Sequence, residues 1–290
     1  MLQISDLEEM REWSRSNRVE GRTVGLVPTM GYLHEGHLRL IDRGREAADA
    51  LVISIFVNPI QFGPGEDFLT YPRDIERDLR LIEQRGGDCA FVPHSEAMYR
   101  SEPVVRVSPG SLADHLCGPR RPGHFEGVLT VVAKLFNVVE PSVAVFGRKD
   151  VQQARAIMRM VEDLDFGVRI IVAPTVREPD GLAMSSRNSY LSPEERAAAA
   201  NIPRSLEAAH DQFASGVTDV STLMAAVRAI LERERLIDVE YSEAVDPESM
   251  TPANVANGET IVAIAARVGK ARLIDNVVLG VGIEGDEVLD

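Results

Sequence analysis

Apolar runs alternate with helical periodicity along the first 174 residues of the chain. Short runs at 24–27, 51–57, 89–92, 143–146 and 168–172 read as buried strands. Between them, apolar positions recur at helical spacing over 35–49, 72–85, 126–139 and 150–164. Pro72 suits a first helical turn, Gly86-Gly87 a helix end and Pro141 a stop. This alternation predicts an α/β fold, a Rossmann-like, mainly parallel sheet with helices on both faces. After Asn188 the pattern changes. Ser192 and Glu195 frame a capping box, and the Ala-rich helix behind them is expected to kink at Pro203. A second helix near 220–234 and strands at 239–245, 260–266 and 272–279 complete a smaller C-terminal α+β domain. The expected division is 1–175 and 176–290.

Open parallel sheets bind ligands beyond the carboxyl ends of their strands, and the unusual loops collect there. The segment His34-Glu35-Gly36-His37 lies where the first strand hands over to a helix. Backbone N–H groups and the helix dipole converge on an anion at such a point. Gly36 admits close approach, and two imidazoles can donate to a phosphate whose charge grows in a transition state. A metal pair and a pair of cap histidines are the competing readings. A catalytic zinc needs a third protein ligand, however, and no other His is near in sequence.

Further loops follow the later strands. Lys149, after Phe146-Gly147 and at a helix start, can hold β- and γ-phosphates as a point charge. Asp150 beside it is a helix cap or a ribose contact, and of Gln152 and Gln153 one is expected to face inward. Arg121-Pro122-Gly123-His124 reads equally as an anion-facing loop or a tight turn. Met184-Ser185-Ser186-Arg187-Asn188 is either a loop closing over a triphosphate or a flexible linker. Two glycine patterns are decoys. The one at 280–285 has too little chain behind it for a helix, and the one at 118–123 has His124 where a phosphate-binding loop needs lysine.

Composition narrows the class without naming the chemistry. A net charge of −14 argues against a nucleic-acid binder but leaves room for a nucleotide pocket. Two cysteines far apart suit a reducing cytoplasm. The start of the sequence lacks signal-peptide character, and no run is apolar enough to span a membrane. The expectation is a cytoplasmic protein without nucleic-acid or membrane partners.

The motifs together resemble the pantoate–β-alanine ligases, of the nucleotidyltransferase superfamily with the HxGH signature. The matching segments are 28–37, 56–62, 71–73, 117–128, 146–153 and 184–188. The histidine pair marks the superfamily; the segments 121–127, 147–150 and 185–187 are specific to the ligases. Tyr32 and Arg148 are small departures from the pattern.

The resemblance implies a two-step reaction. Pantoate attacks the α-phosphorus of ATP to give pantoyl adenylate and pyrophosphate, and β-alanine then displaces AMP. It implies His34, His37 and Lys149 as catalytic residues. ATP would be held by Met30, His37, Gly147, Lys149, Asp150, Met184, Ser185, Ser186 and Arg187, with Mg²⁺ accompanying it. Pantoate would meet Gln61, Gln153 and Met30, and Asn58, Tyr71, Arg121 and His124 would line the pocket. The smaller domain would close over this site. A homodimer is implied as well, with apolar stretches at 51–57 and 104–107 available for an interface. A different nucleotidyltransferase would share the histidines but not Gln61, Gln153 and 121–127. A non-catalytic nucleotide binder could dispense with the histidines and Lys149, and a metal hydrolase would need no ATP.

Overall fold

The computed structural model describes residues 1–101, 103–283 and 285. Its main sheet has six strands: β1 (Leu2–Ile4), β2 (Val24–Thr29), β3 (Ala50–Ile55), β4 (Cys89–Phe91), β5 (Val143–Gly147) and β6 (Arg169–Ala173). All neighbours pair in parallel, in the order β1-β4-β3-β2-β5-β6. The connecting helices are α1 (Leu7–Val19), α2 (Glu35–Ala47), α3 (Ile75–Gln84), the short α4 (Ser95–Met98) and α5 (Cys117–Arg120), α6 (His124–Val139) and α7 (Val151–Asp163).

Neighbouring strand residues feed opposite cores. Leu26 packs with Met10, Leu129 and Ile157 beneath α1, α6 and α7, whereas Val27 packs with Ile41, Ile53 and Ile82 beneath α2 and α3. Burial on both faces explains why the strands read as continuous apolar runs rather than alternating ones. It also removes 51–57 as an interface, because β3 is a central strand buried along its whole length.

A second sheet, antiparallel in the order β7-β8-β9, comprises β7 (Ile237–Val245), β8 (Ile261–Val268) and β9 (Ala271–Val278). It packs on α8 (Pro193–Ala199), α9 (Asn201–Ala214) and α10 (Val220–Leu231) through Leu206, Leu223, Val227 and Ile264. The sheet is tied to the larger one by buried polar contacts. Asn276 Nδ2 donates to the carbonyls of Arg148 and Lys149, both at 3.0 Å, and Arg177 grips Asp275 at 2.7 and 3.0 Å.

Several boundaries differ from the pattern-based expectation. The third helix begins at Ile75, not at Pro72, because the Asp74 carboxylate accepts from the Arg77 N–H at 3.1 Å and caps it there. The capping box of Ser192 and Glu195 is present. The break behind it falls at Ala200 rather than at Pro203. Proline clashes with the carbonyl four residues earlier, so the helix ends before it and Pro203 enters the first turn of α9, where its missing N–H has no partner to lose. Glu284, within the rejected glycine pattern, and residues 286–290 lie outside the described residues.

The topology fixes where a ligand can sit. From β2 the chain moves outward through β3 and β4 on one side, then resumes with β5 and β6 on the other. The reversal lies between β2 and β5, and the crevice opens beyond their carboxyl ends. The segment 30–37 leaves β2 there, and Lys149 follows β5 at the same rim.

Candidate active site

A cavity of about 240 Å³ occupies that crevice. It brings together His34, His37, Met30, Lys149, Gly147 and Asp150 from the loops after β2 and β5. Gln61, Asn58 and Tyr71 enter from the segment after β3, Arg121 and His124 from the start of α6, Gln153 from α7, and Met184 and Arg187 from the connection to the second sheet. Ser185 and Ser186 are not brought to the cavity. The Ser185 hydroxyl accepts from the Arg187 N–H at 3.3 Å and so caps its own short turn.

The histidine pair is built into the first turn of α2. His34 is the N-cap, and its backbone N–H donates to His37 Nδ1 at 3.3 Å. This is one half of a capping box, with histidine in the place usually taken by Glu or Gln. With Nδ1 accepting, the neutral ring carries its proton on Nε2, leaving that nitrogen as the donor. The two rings lie 4.0 Å apart between centroids. Gly36 is needed between them, since a Cβ there would stand 2.9 Å from the His34 ring.

Both rings are held neutral. Burial first, then the charge of Lys149, brings His34 down to about 4, and burial with His34 and Lys149 beside it drives His37 well below its ordinary value. A neutral imidazole keeps one N–H with which to donate to an anion. Burial and Arg121 bring His124 down to about 4 as well. Unfolding frees all three to bind protons below about pH 6.5, so the unfolded state holds more protons and stability falls as pH drops from there towards about 4. Urea unfolding midpoints near pH 7 and pH 5 measure this, and a His124→Gln variant should lose part of the slope.

The cations differ in their state. Arg121 donates to both oxygens of Glu66 at 2.8 and 2.7 Å, and Arg187 to both oxygens of Asp67 at 3.1 and 2.9 Å. Among the described residues Lys149 Nζ has neither hydrogen bond nor ion pair, so its charge is directed at the cavity it lines. Asp150 is the N-cap residue of α7 by position, but its side chain makes no cap hydrogen bond and instead lines the cavity. The two glutamines divide as expected. Gln153 faces the cavity, while Gln152 accepts from the Cys117 N–H and donates to the carbonyls of Leu112 and His115.

Sequence reasoning missed Asp78. Its buried carboxylate accepts from the backbone N–H groups of Tyr32 at 2.6 Å and Leu33 at 2.8 Å. It thereby holds a left-handed pair, Gly31 at φ +82° and Tyr32 at φ +50°, that turns the chain from β2 towards His34. The signal was readable, since Asp78 stands one helical turn before the buried Ile82 on the inward face of α3. Glu66, Asp67 and Tyr99 were also missed, and their roles depend on residues far away in sequence.

Neutral imidazoles, a lysine and two arginines at the switch point of a parallel sheet define a nucleotide-using enzyme of the α/β class. The chain belongs to the pantoate–β-alanine ligase family: the family model described as Pantoate-beta-alanine ligase matches residues 3–278. The pantothenate synthetase of Thermotoga petrophila is 50% identical over 277 residues, covering 96% of this chain and 99% of the relative. The crystal structure of pantothenate synthetase from Thermus thermophilus superposes with a TM-score of 0.90 at 43% identity, over 96% of this chain and 99% of that one. A pantoate–β-alanine ligase from Francisella tularensis, complexed with β,γ-ATP and β-alanine, gives a TM-score of 0.79 at 30% identity, over 98% of this chain and 100% of that one.

Proposed function

We propose that this chain condenses pantoate with β-alanine at the expense of ATP, through a pantoyl adenylate formed in the cavity between β2 and β5. The observation that carries this reading is the facing of two neutral histidines and Lys149 with Gln61 and Gln153 in one cavity. One group suits phosphates, the other a polyhydroxylated acid.

In the first step a pantoate carboxylate oxygen attacks the α-phosphorus, the bond to the bridging oxygen breaks, and pyrophosphate leaves with the electron pair. The substrate supplies the nucleophile, so the protein's work is positioning and electrostatic stabilisation. His37 Nε2–H and the His34 ring donate to the phosphates, and Lys149 holds the β- and γ-phosphates. Arg187 and Met184 border the triphosphate, with Gly147 and Asp150 at the ribose. Gln61, Gln153 and Met30 receive pantoate, and Asn58, Tyr71, Arg121 and His124 complete the pocket. In the second step the amine nitrogen of β-alanine attacks the acyl carbon, loses a proton, and AMP departs.

Mg²⁺ is proposed to arrive with ATP. Magnesium keeps several waters and is bound largely through substrate phosphates, so it would enter on the triphosphate. The larger unit, 1–175, would carry the pantoate subsite and most of the ATP contacts, and 176–290 would form the cover and supply Met184 and Arg187. We assign the reaction to the cytoplasm, in keeping with two free thiols at Cys89 and Cys117. Among the described residues no helix is long and apolar enough to cross a membrane. A homodimer is proposed with 104–107 at its interface, where Val104 and Val105 are 97% and 85% exposed.

The test is exchange of labelled pyrophosphate into ATP with Mg²⁺ present and β-alanine absent. Exchange that depends on pantoate is expected. A folded, ATP-binding protein that gives none with pantoate would overturn the substrate assignment.

A further inference from the structure

Behind Gln61, the buried amide of Asn58 leads to Tyr99, a residue that the reaction as described does not use. Asn58 is 1% exposed and makes three hydrogen bonds. Its Nδ2 donates to the Gly127 carbonyl at 3.1 Å and to Gln61 Oε1 at 3.0 Å, and its Oδ1 accepts from the Tyr99 hydroxyl at 2.9 Å. The direction of each bond is determined by chemistry. A backbone carbonyl only accepts, so the Asn58 atom facing Gly127 is the NH₂. Its second hydrogen then goes to Gln61, so Gln61 Oε1 is turned inward and occupied. The carboxamide presents Nε2 to the cavity, where its protein acceptor is Met30 Sδ at 3.2 Å. A thioether is a weak acceptor, which leaves the Nε2 hydrogens available to a substrate oxygen.

The backbone of Gln61 is clamped independently. Arg121 can only donate, so His124 Nε2 accepts from it at 2.9 Å, and His124 Nδ1–H donates to the Gln61 carbonyl at 2.9 Å. Helix α6 presses on the same residue: a Cβ at Gly127 would stand 2.5 Å from the Ile60 carbonyl oxygen and 2.6 Å from Gln61 Cα. The turn carrying Gln61 is therefore fixed whatever Tyr99 does. What Tyr99 adds is a donor for Asn58 Oδ1, the end of the relay that would otherwise be buried without a partner.

We propose that Tyr99 is a positioning residue for substrate selection, acting through Asn58 to hold Gln61 as a hydrogen-bond donor towards a hydroxyl oxygen of the acid substrate. The inference rests on the assignment of Gln61 to pantoate made above. Removing the Tyr99 hydroxyl leaves Asn58 Oδ1 buried without a donor, so Asn58 is held by Gly127 and Gln61 alone and its grip on Gln61 Oε1 loosens. The Tyr99 ring stays in place, packed on Phe56 at 6.1 Å between centroids and covered by Lys134 Nζ at 5.5 Å.

The experiment is steady-state kinetics of Tyr99→Phe, Gln61→Glu and Gln61→Ala with pantoate and ATP varied separately, together with the two monodeoxy analogues of pantoate. Tyr99→Phe should raise KM for pantoate about tenfold, the ratio expected for one buried hydrogen bond, and leave KM for ATP unchanged. It should also narrow the preference for pantoate over the analogue lacking the recognised hydroxyl. Gln61→Glu, which cannot donate when ionised, should lose pantoate at least as severely as Gln61→Ala. If Gln61→Ala raises KM for pantoate and Tyr99→Phe does not, the relay is overturned. Equal rises for ATP and pantoate in Tyr99→Phe would likewise overturn it, as a general structural defect. Retained pantoate use by Gln61→Glu would overturn the donor polarity. An unchanged KM in Gln61→Ala would instead remove the pantoate assignment on which the relay stands.

Discussion

Replacing His37 by alanine is expected to slow pantoate-dependent pyrophosphate exchange by at least about 100-fold, the scale for losing one donor to a charge that develops in the transition state. The ring is already neutral, already carries its proton on Nε2 and is already oriented by the His34 N–H, so it need not reorganise as charge moves onto the phosphate oxygens. The fold should survive, because the substitution removes only the acceptor of one N–H at the first turn of α2 and disturbs neither core. Lys149→Ala should fall on the same scale, since Lys149 lines the cavity and among the described residues its Nζ has no partner. Near-normal exchange in either folded variant would remove that residue from the transition state.

Asp78→Ala should cost both stability and activity. Two backbone N–H groups lose charge-assisted acceptors and remain buried, a penalty of about 3 kcal/mol at the usual 1–3 kcal/mol for each unsatisfied group. The same change releases the left-handed turn at Gly31 and Tyr32, so Met30 and His34 lose their placement and exchange should fall more than about tenfold. Urea unfolding and the exchange assay on one preparation separate the two effects. Asp78→Asn, which keeps a single acceptor, should lie between wild type and Asp78→Ala in both. A variant as stable as wild type would mean that the turn at 31–33 does not depend on this carboxylate.

Much of the site was legible because its chemistry is local. His34, Gly36 and His37 announce themselves by spacing at a strand–helix junction, and Lys149 by its place after β5. The relay to Gln61 was not legible, since Tyr99 and Gly127 lie 41 and 69 residues from Asn58 and meet it only through the sheet order. The acidic partners of Arg121 and Arg187 are hidden for the same reason, at separations of 55 and 120. At the level of fold, the central strands were readable as buried apolar runs, but β1 and α1 were not. β1 has three residues, and α1 buries Ser14 and Asn17 beside Met10, which dilutes the apolar stripe that marks a helix.

The contact of Asn276 with the carbonyls of Arg148 and Lys149 orders events during synthesis. The backbone that aims the lysine is fixed by a residue that leaves the ribosome 127 positions after it. A nascent chain can fold its histidine loop and its glutamine turn while the lysine's loop still lacks its support. A chain that stops before β9 lacks this support for the lysine's loop, and its loss is expected to show first in ATP chemistry rather than in the choice of acid.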